Sequence, residues 1–141
     1  KFCFVKKDGY KPIMKANIIN KDFLIKKNND RLIIKPFQVD HGLIKSTGYV
    51  IEKIAYISDC NNIPKKNLIY LKDLNYLILD CLKFEKHPSH FNFKSAIDLI
   101  NLVRPKKAIL TNLHTDLDYF KLKKILPNNV LPAYDGLSFS F

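Results

Sequence analysis

Four histidines and two aspartates are the residues of this 141-residue chain best suited to chemistry. His41 follows an apolar run in Val39-Asp40-His41-Gly42, and His114 follows another in Leu110-Thr111-Asn112-Leu113-His114. His87 and His90 share the polar stretch Lys86-His87-Pro88-Ser89-His90. Asp59 ends the apolar run Ile54-Ala55-Tyr56-Ile57, and Asp80 ends Tyr76-Leu77-Ile78-Leu79. Several separate strands therefore each release a His or Asp at one end. Ligands gather where strands end and loops begin, so a shared edge would bring these imidazoles and carboxylates together. Nitrogen and oxygen donors of this kind suit zinc, manganese or iron. A carboxylate such as Asp59 can bridge two ions ~3.5–4 Å apart, and such a pair clamps a phosphate ester and lowers the pKa of a bound water to ~7. A histidine beside the ions could then protonate the leaving oxygen. Read singly, each residue also has a structural explanation. A loop histidine is commonly a surface residue, Asp59 could cap the turn before Pro64, and Asp80 could cap a loop. No HxH, HExxH or HxxxH pair singles out a metal site.

The elements that must position these groups change rhythm along the chain. Residues 1–59 read as β. Short apolar runs are Phe2-Cys3-Phe4-Val5, Ile13–Ile19, Phe23-Leu24-Ile25 and the longer Arg31–Val39, with turns at Asp8-Gly9 and Asn28-Asn29-Asp30. Tyr49–Ile51 and Ile54–Ile57 form a hairpin across Glu52-Lys53. Beyond Asp59 the pattern alternates. Pro64 opens a short helix over 64–72, where a first-turn proline is tolerated, and Tyr76–Leu79 is a buried strand. Asn92 caps a helix ended by Pro105, and Ala108–Leu110 is a strand. Asp116–Leu126 is a helix stopped by Pro127, and Val130-Leu131 and Leu137–Phe141 are strands around an Asp135-Gly136 turn. The expected class is α/β (α+β): a mostly antiparallel layer running into β-α-β-α units.

Composition narrows the function. At 47% hydrophobic and 12% aromatic the chain can bury a core, and its length suits one domain. Its apolar runs are far shorter than the ~20 residues that span a bilayer, so no membrane anchor is expected. The net charge of +11 admits an anionic substrate or nucleic acid. However, only Arg31 and Arg104 are arginine, and the lysines fall in scattered pairs such as Lys65-Lys66 and Lys106-Lys107. Phosphate readers lean on arginine forks, so a solvated surface is favoured over a selected basic face. Cys3, Cys60 and Cys81 have no CxxC spacing and fit reduced thiols in a cytoplasmic protein. The chain begins with Lys and shows no leader.

Six stretches taken in order resemble the C-terminal part of a metallo-β-lactamase-fold hydrolase. They are Val39-Asp40-His41-Gly42 with Ser46-Thr47-Gly48-Tyr49, Ala55–Asp59, Leu79-Asp80-Cys81-Leu82, His87-Pro88-Ser89-His90, Leu110–His114 with Asp116–Tyr119, and Pro132–Gly136. The nearest branch is the PhnP-like phosphodiesterases, relatives of tRNase Z. The resemblance implies an αββα sandwich with its N-terminal half incomplete, residues 1–141 forming the C-terminal part of a single domain. Part of the first sheet, most of the second and the C-terminal helices would lie here.

The resemblance also implies roles. His41 completes a first metal site, Asp59 bridges, and His114 is a late ligand of a second metal. His90 is the catalytic histidine facing the leaving group, while His87, Asp80 and Asn112 line the pocket. Asn112 stands where the family often has a ligand histidine, and the family's HxHxDH motif, expected upstream, is absent. The implied full-length function is a metal-dependent hydrolase, a phosphodiesterase using hydroxide on two divalent ions (zinc or manganese). Its substrate would be a small phosphodiester or a nucleotide, and the isolated fragment is expected to be inactive. A basic nucleic-acid-binding module and a non-catalytic degenerate domain are the alternatives, and a homodimer is left open.

Overall fold

The computed structural model describes Cys3, Phe4, Gly9, 11–19 and 21–140. Its centre is one seven-stranded sheet ordered β1-β2-β3-β4-β5-β6-β7, the same order as the chain. β1 (Phe23–Lys27), β2 (Asp30–His41), β3 (Ile44–Ile51) and β4 (Ile54–Ile57) pair antiparallel in succession. β4, β5 (Tyr76–Asp80), β6 (Lys107–Thr111) and β7 (Val130–Pro132) pair in parallel. Parallel neighbours need crossovers, and these carry the helices: a 3₁₀ helix at Lys65–Leu71, α1 (Phe93–Val103) and α2 (Tyr119–Ile125).

Each junction has a local cause. Asn92 accepts the Ser95 N–H while the Ser95 hydroxyl accepts the Asn92 N–H, a reciprocal cap that starts α1. α1 ends where Arg104 turns left-handed (φ 53°) ahead of Pro105. Asp118 caps α2 through the Lys121 N–H. The core lies between the sheet and its crossovers: Leu77, Leu79 and Leu110 pack with Ala96, Ile100, Leu117 and Leu122, all buried. Gly48 is required by contact, since a Cβ there would stand 2.7 Å from the Phe37 ring, and Phe37 stacks on Tyr70 at 5.1 Å.

Most predicted strands and α1 lie where the patterns place them. The differences have physical reasons. Lys11–Ile19 forms no strand; Ile13 and Ile18 are exposed, and the Met14 N–H bond to the Cys3 carbonyl (3.0 Å) is not continued into a ladder among the described residues. Leu137–Ser140 likewise stays irregular. α2 begins at Tyr119 rather than at Asp116, because the Leu117 N–H closes a turn onto the His114 carbonyl. The described residues form one sheet, not portions of two. Of the Phe2–Val5 run, Cys3 and Phe4 form a turn; Phe2 and Val5, like Asp8 and Phe141, lie outside the described residues. Leu43 and Ile44 project at the β2–β3 turn, both exposed.

Candidate metal centre

β3 runs antiparallel to both β2 and β4, so β2 and β4 run the same way. The C-terminal ends of β2, β4, β5, β6 and β7 therefore share one rim. A bridge between Asp40 and Asn62 pins the β2 end against the segment after β4. His41 is the last residue of β2, inside the strand rather than beyond it. Asp59 lies two residues past β4. The loop after β5 is stitched to the same rim: the Phe91 N–H donates to the Cys60 carbonyl (2.7 Å) and the Leu82 N–H to the Phe91 carbonyl (2.9 Å). That places His90 beside Asp59.

His41, Asp59 and His90 each offer one ligand atom, and these atoms lie within 4.8 Å of one another. The His41 and His90 rings meet nearly perpendicular, 4.7 Å between centroids. Hydrogen bonds fix the protons. His41 Nδ1 lies 2.8 Å from the Ser89 carbonyl, which only accepts, so Nδ1 carries the hydrogen and Nε2 presents its lone pair. His90 Nδ1 lies 2.7 Å from Asp80 Oδ2, which also accepts the Cys60 N–H at 3.0 Å. A carboxylate or carbonyl on the far nitrogen is the usual support of a metal-binding imidazole.

Asp80 has no exposed surface, and its Oδ1 is buried with no hydrogen-bond partner among the described residues. Burial pushes its carboxyl above the ordinary 3.8, while the Cys60 N–H and His90 pull it back. The flanking thiols of Cys60 and Cys81 are pushed up to about 12, chiefly by burial.

The other sequence candidates fall around this group. His87 sits 5.2 Å from His90 between ring centroids, and its Nδ1 accepts the Ser89 N–H at 3.4 Å. Burial, then the neighbouring His90, Lys83 and His41, lower its pKa from 6.5. Asn112, left-handed at φ 60°, donates its amide to the Ser58 carbonyl. His114 is outside the group; it is exposed, and its Nδ1 faces Asp116 Oδ1 at 3.2 Å.

Two participants carry no sequence signal as ligands or catalysts. The Ser89 carbonyl is backbone. Asn61 accepts the Gly42 N–H and donates to the Pro88 carbonyl, both at 3.0 Å, tying the β2 end to the histidine loop. Gly42 has φ 64°, and a Cβ there would meet Ser89 Cβ at 3.0 Å, so that approach requires glycine.

The His41 nitrogen and the Asp59 oxygen are donors for a divalent transition ion, and the His90 ring, backed by Asp80, stands beside them. A second ion would need donors that neither the occupied Asn112 amide nor the distant His114 brings to this group. The group thus lies at the rim of one mixed sheet with helical crossovers.

Residues 2–112 match the family described as the beta-lactamase superfamily domain, and the chain belongs to it. Over 91% of the chain the fold superposes on 49% of a diphosphatase from the PhnP family, with a TM-score of 0.82 and 25% identity. It also superposes on human tRNase Z, short form, covering 85% of this chain and 47% of that one (TM-score 0.62, 20% identity). The metallo-beta-lactamase fold protein YhfI from Bacillus subtilis matches 91% of this chain with 56% of its own (TM-score 0.66, 15% identity). Over 109 residues, 75% of this chain, it is 32% identical to an octanoyltransferase of Porphyromonas gingivalis (strain ATCC BAA-308 / W83). The chain spans 22% of the length of that curated relative and about half that of the diphosphatase. No helix among the described residues is long and apolar enough to cross a membrane.

Proposed function

We propose that this chain provides part of the active site of a metal-dependent phosphodiesterase. The observation that carries it is the convergence of His41, Asp59 and His90 from three crossings of the sheet rim. The diphosphatase likeness supports a phosphorus ester as the substrate class. The octanoyltransferase name belongs to a protein of which the matched segment is 22%, and acyl transfer is not carried over.

His41 Nε2 and the Asp59 carboxylate would hold a divalent ion, zinc or manganese by donor type, with further ligands for a second ion coming from outside this chain. When bound, the ion polarises a phosphoryl oxygen and makes water more acidic. The Ser89 carbonyl keeps the lone pair of His41 on Nε2. His90, charged, donates its Nε2 proton to the leaving oxygen. The Asp80 carboxylate holds the His90 Nδ1–H and offsets the positive ring.

The test is hydrolysis of bis-p-nitrophenyl phosphate and of a cyclic phosphate by the full-length protein, with zinc or manganese added. Turnover should depend on metal, fall at least ~100-fold in His41→Ala, and be accompanied by lower bound-metal content. Absence of metal-dependent turnover, or full turnover by His41→Ala, refutes the proposal.

A further inference from the structure

The tip of the β2–β3 hairpin borders the metal group. His41 and Ile44 face each other across its two-residue loop, Gly42-Leu43. Residues paired across an antiparallel ladder project to the same face of the sheet, with Cβ atoms about 4.5–5.5 Å apart. Ile44 therefore stands beside His41 on one face. Val39 and Phe37, two and four residues before His41, share that face and are buried in the core. The cover that buries them stops short of Ile44, which is 65% exposed, and Leu43 beside it is fully exposed.

A hydrophobic side chain left singly in solvent is ordinary; the position distinguishes this one. The charged residue of the tip, Lys45, lies on the opposite face, where it pairs with Asp40 in the ladder and is joined to it by an ion pair. The strand neighbour of His41 on the face of the metal group is thus aliphatic, and the ammonium is turned away. From the histidine loop, His41 is met by the Ser89 carbonyl and the His90 ring. A molecule held by His41 Nε2 and Asp59 therefore has polar groups along that loop and bare hydrocarbon along the hairpin. An anionic oxygen gains nothing against Ile44, whereas a hydrocarbon group there leaves water.

From this geometry we infer that Ile44 is a specificity-determining residue: it seats the ester group that stays on phosphorus, and that group is apolar, alkyl or aryl. The inference rests on the proposed phosphodiesterase reading, in which His41 and Asp59 mark the phosphoryl group and His90 the leaving oxygen.

Binding tests it separately from turnover. Phenyl phosphate and methyl phosphate carry the same phosphoryl group and differ only in the ester group. Each is titrated calorimetrically into the metal-loaded full-length protein. Phenyl phosphate should bind at least ~5-fold more tightly, a modest preference because Ile44 covers one side of the ring and does not enclose it. Ile44→Thr keeps the β-branched shape with a hydroxyl in place of the ethyl group, and should lower that ratio to below about two. Ile44→Leu should keep the ratio, and so should Leu102→Thr, an equally exposed position at the far end of α1 from the histidine loop. A wild-type ratio within twofold of one overturns the inference, as does a failure of phenyl phosphate to bind. An unchanged ratio in Ile44→Thr overturns it too; with a lowered melting temperature, that result means the side chain packs against the rest of the full-length protein. Diester turnover by wild type with the ratio untouched by Ile44→Thr removes the inference and leaves the phosphodiesterase reading. A ratio that falls in Ile44→Thr, with no diester turnover by wild type, removes that reading and keeps the apolar seat beside the metal group.

Discussion

Asp80→Asn separates the charge of the buried carboxylate from its shape. The asparagine oxygen can still accept the Cys60 N–H and the His90 Nδ1–H now held at 3.0 and 2.7 Å. What disappears is the negative charge facing the imidazole. A hydrogen bond involving a charged group contributes about 1.5–3 kcal/mol, against about 0.5–1.5 for a neutral one. The Asp80–His90 bond should thus lose about 1–1.5 kcal/mol in the step where His90 carries charge. At about 1.4 kcal/mol per decade, kcat should fall roughly tenfold. Stability should respond little, because removing a charge with no exposed surface offsets leaving the asparagine Nδ2, in the place of the unpartnered Oδ1, without an acceptor. The assay is kcat on bis-p-nitrophenyl phosphate with metal saturating, alongside thermal unfolding. A kcat within twofold of wild type, with the fold intact, would refute the idea that Asp80 steadies a charged His90.

Gly48→Ala should destabilise by about 1–3 kcal/mol, the usual cost of overpacking a filled core, because its methyl would push the Phe37 ring off Tyr70; denaturant unfolding checks this, and an unchanged midpoint contradicts it. Acid should reveal Asp40. The hydrogen bond from Lys45, then that from Asn62, hold its carboxyl below 3.8. Its contribution is present above that unfolded value and is lost as pH falls through the lower folded one. The gap in melting temperature between wild type and Asp40→Asn should therefore narrow as pH drops below about 4, and a gap independent of pH argues against the pairing.

Local signals identified the elements that close on themselves. Asn92 before an apolar stripe marked the start of α1, and the apolar run Tyr76–Leu79 marked a buried strand, β5. Ile13–Ile19 has strand chemistry but no strand beside it among the described residues, and a ladder partner is not written in a segment's own residues. Asp116, the expected start of α2, instead follows a turn closed by the Leu117 N–H on the His114 carbonyl, and Asp118 caps the helix. In the site, strand ends located His41 and Asp59, but spacing could not register the loop after β5, whose position comes from backbone bonds to Cys60 and Cys81's neighbour Leu82. Asp80 was expected to line the pocket, yet it is a strand residue with no exposed surface. A carboxylate closing so apolar a run signals a partner, and that partner is His90.

Because the strands lie side by side in the order of synthesis, each one docks against the strand that preceded it. The three grouped side chains come from one stretch running from residue 41 to residue 90. Those three side chains thus meet through the crossovers between residues 41 and 90. Insertions beyond the His90 loop can therefore lengthen the later crossovers without shifting the register of His41 against Asp59.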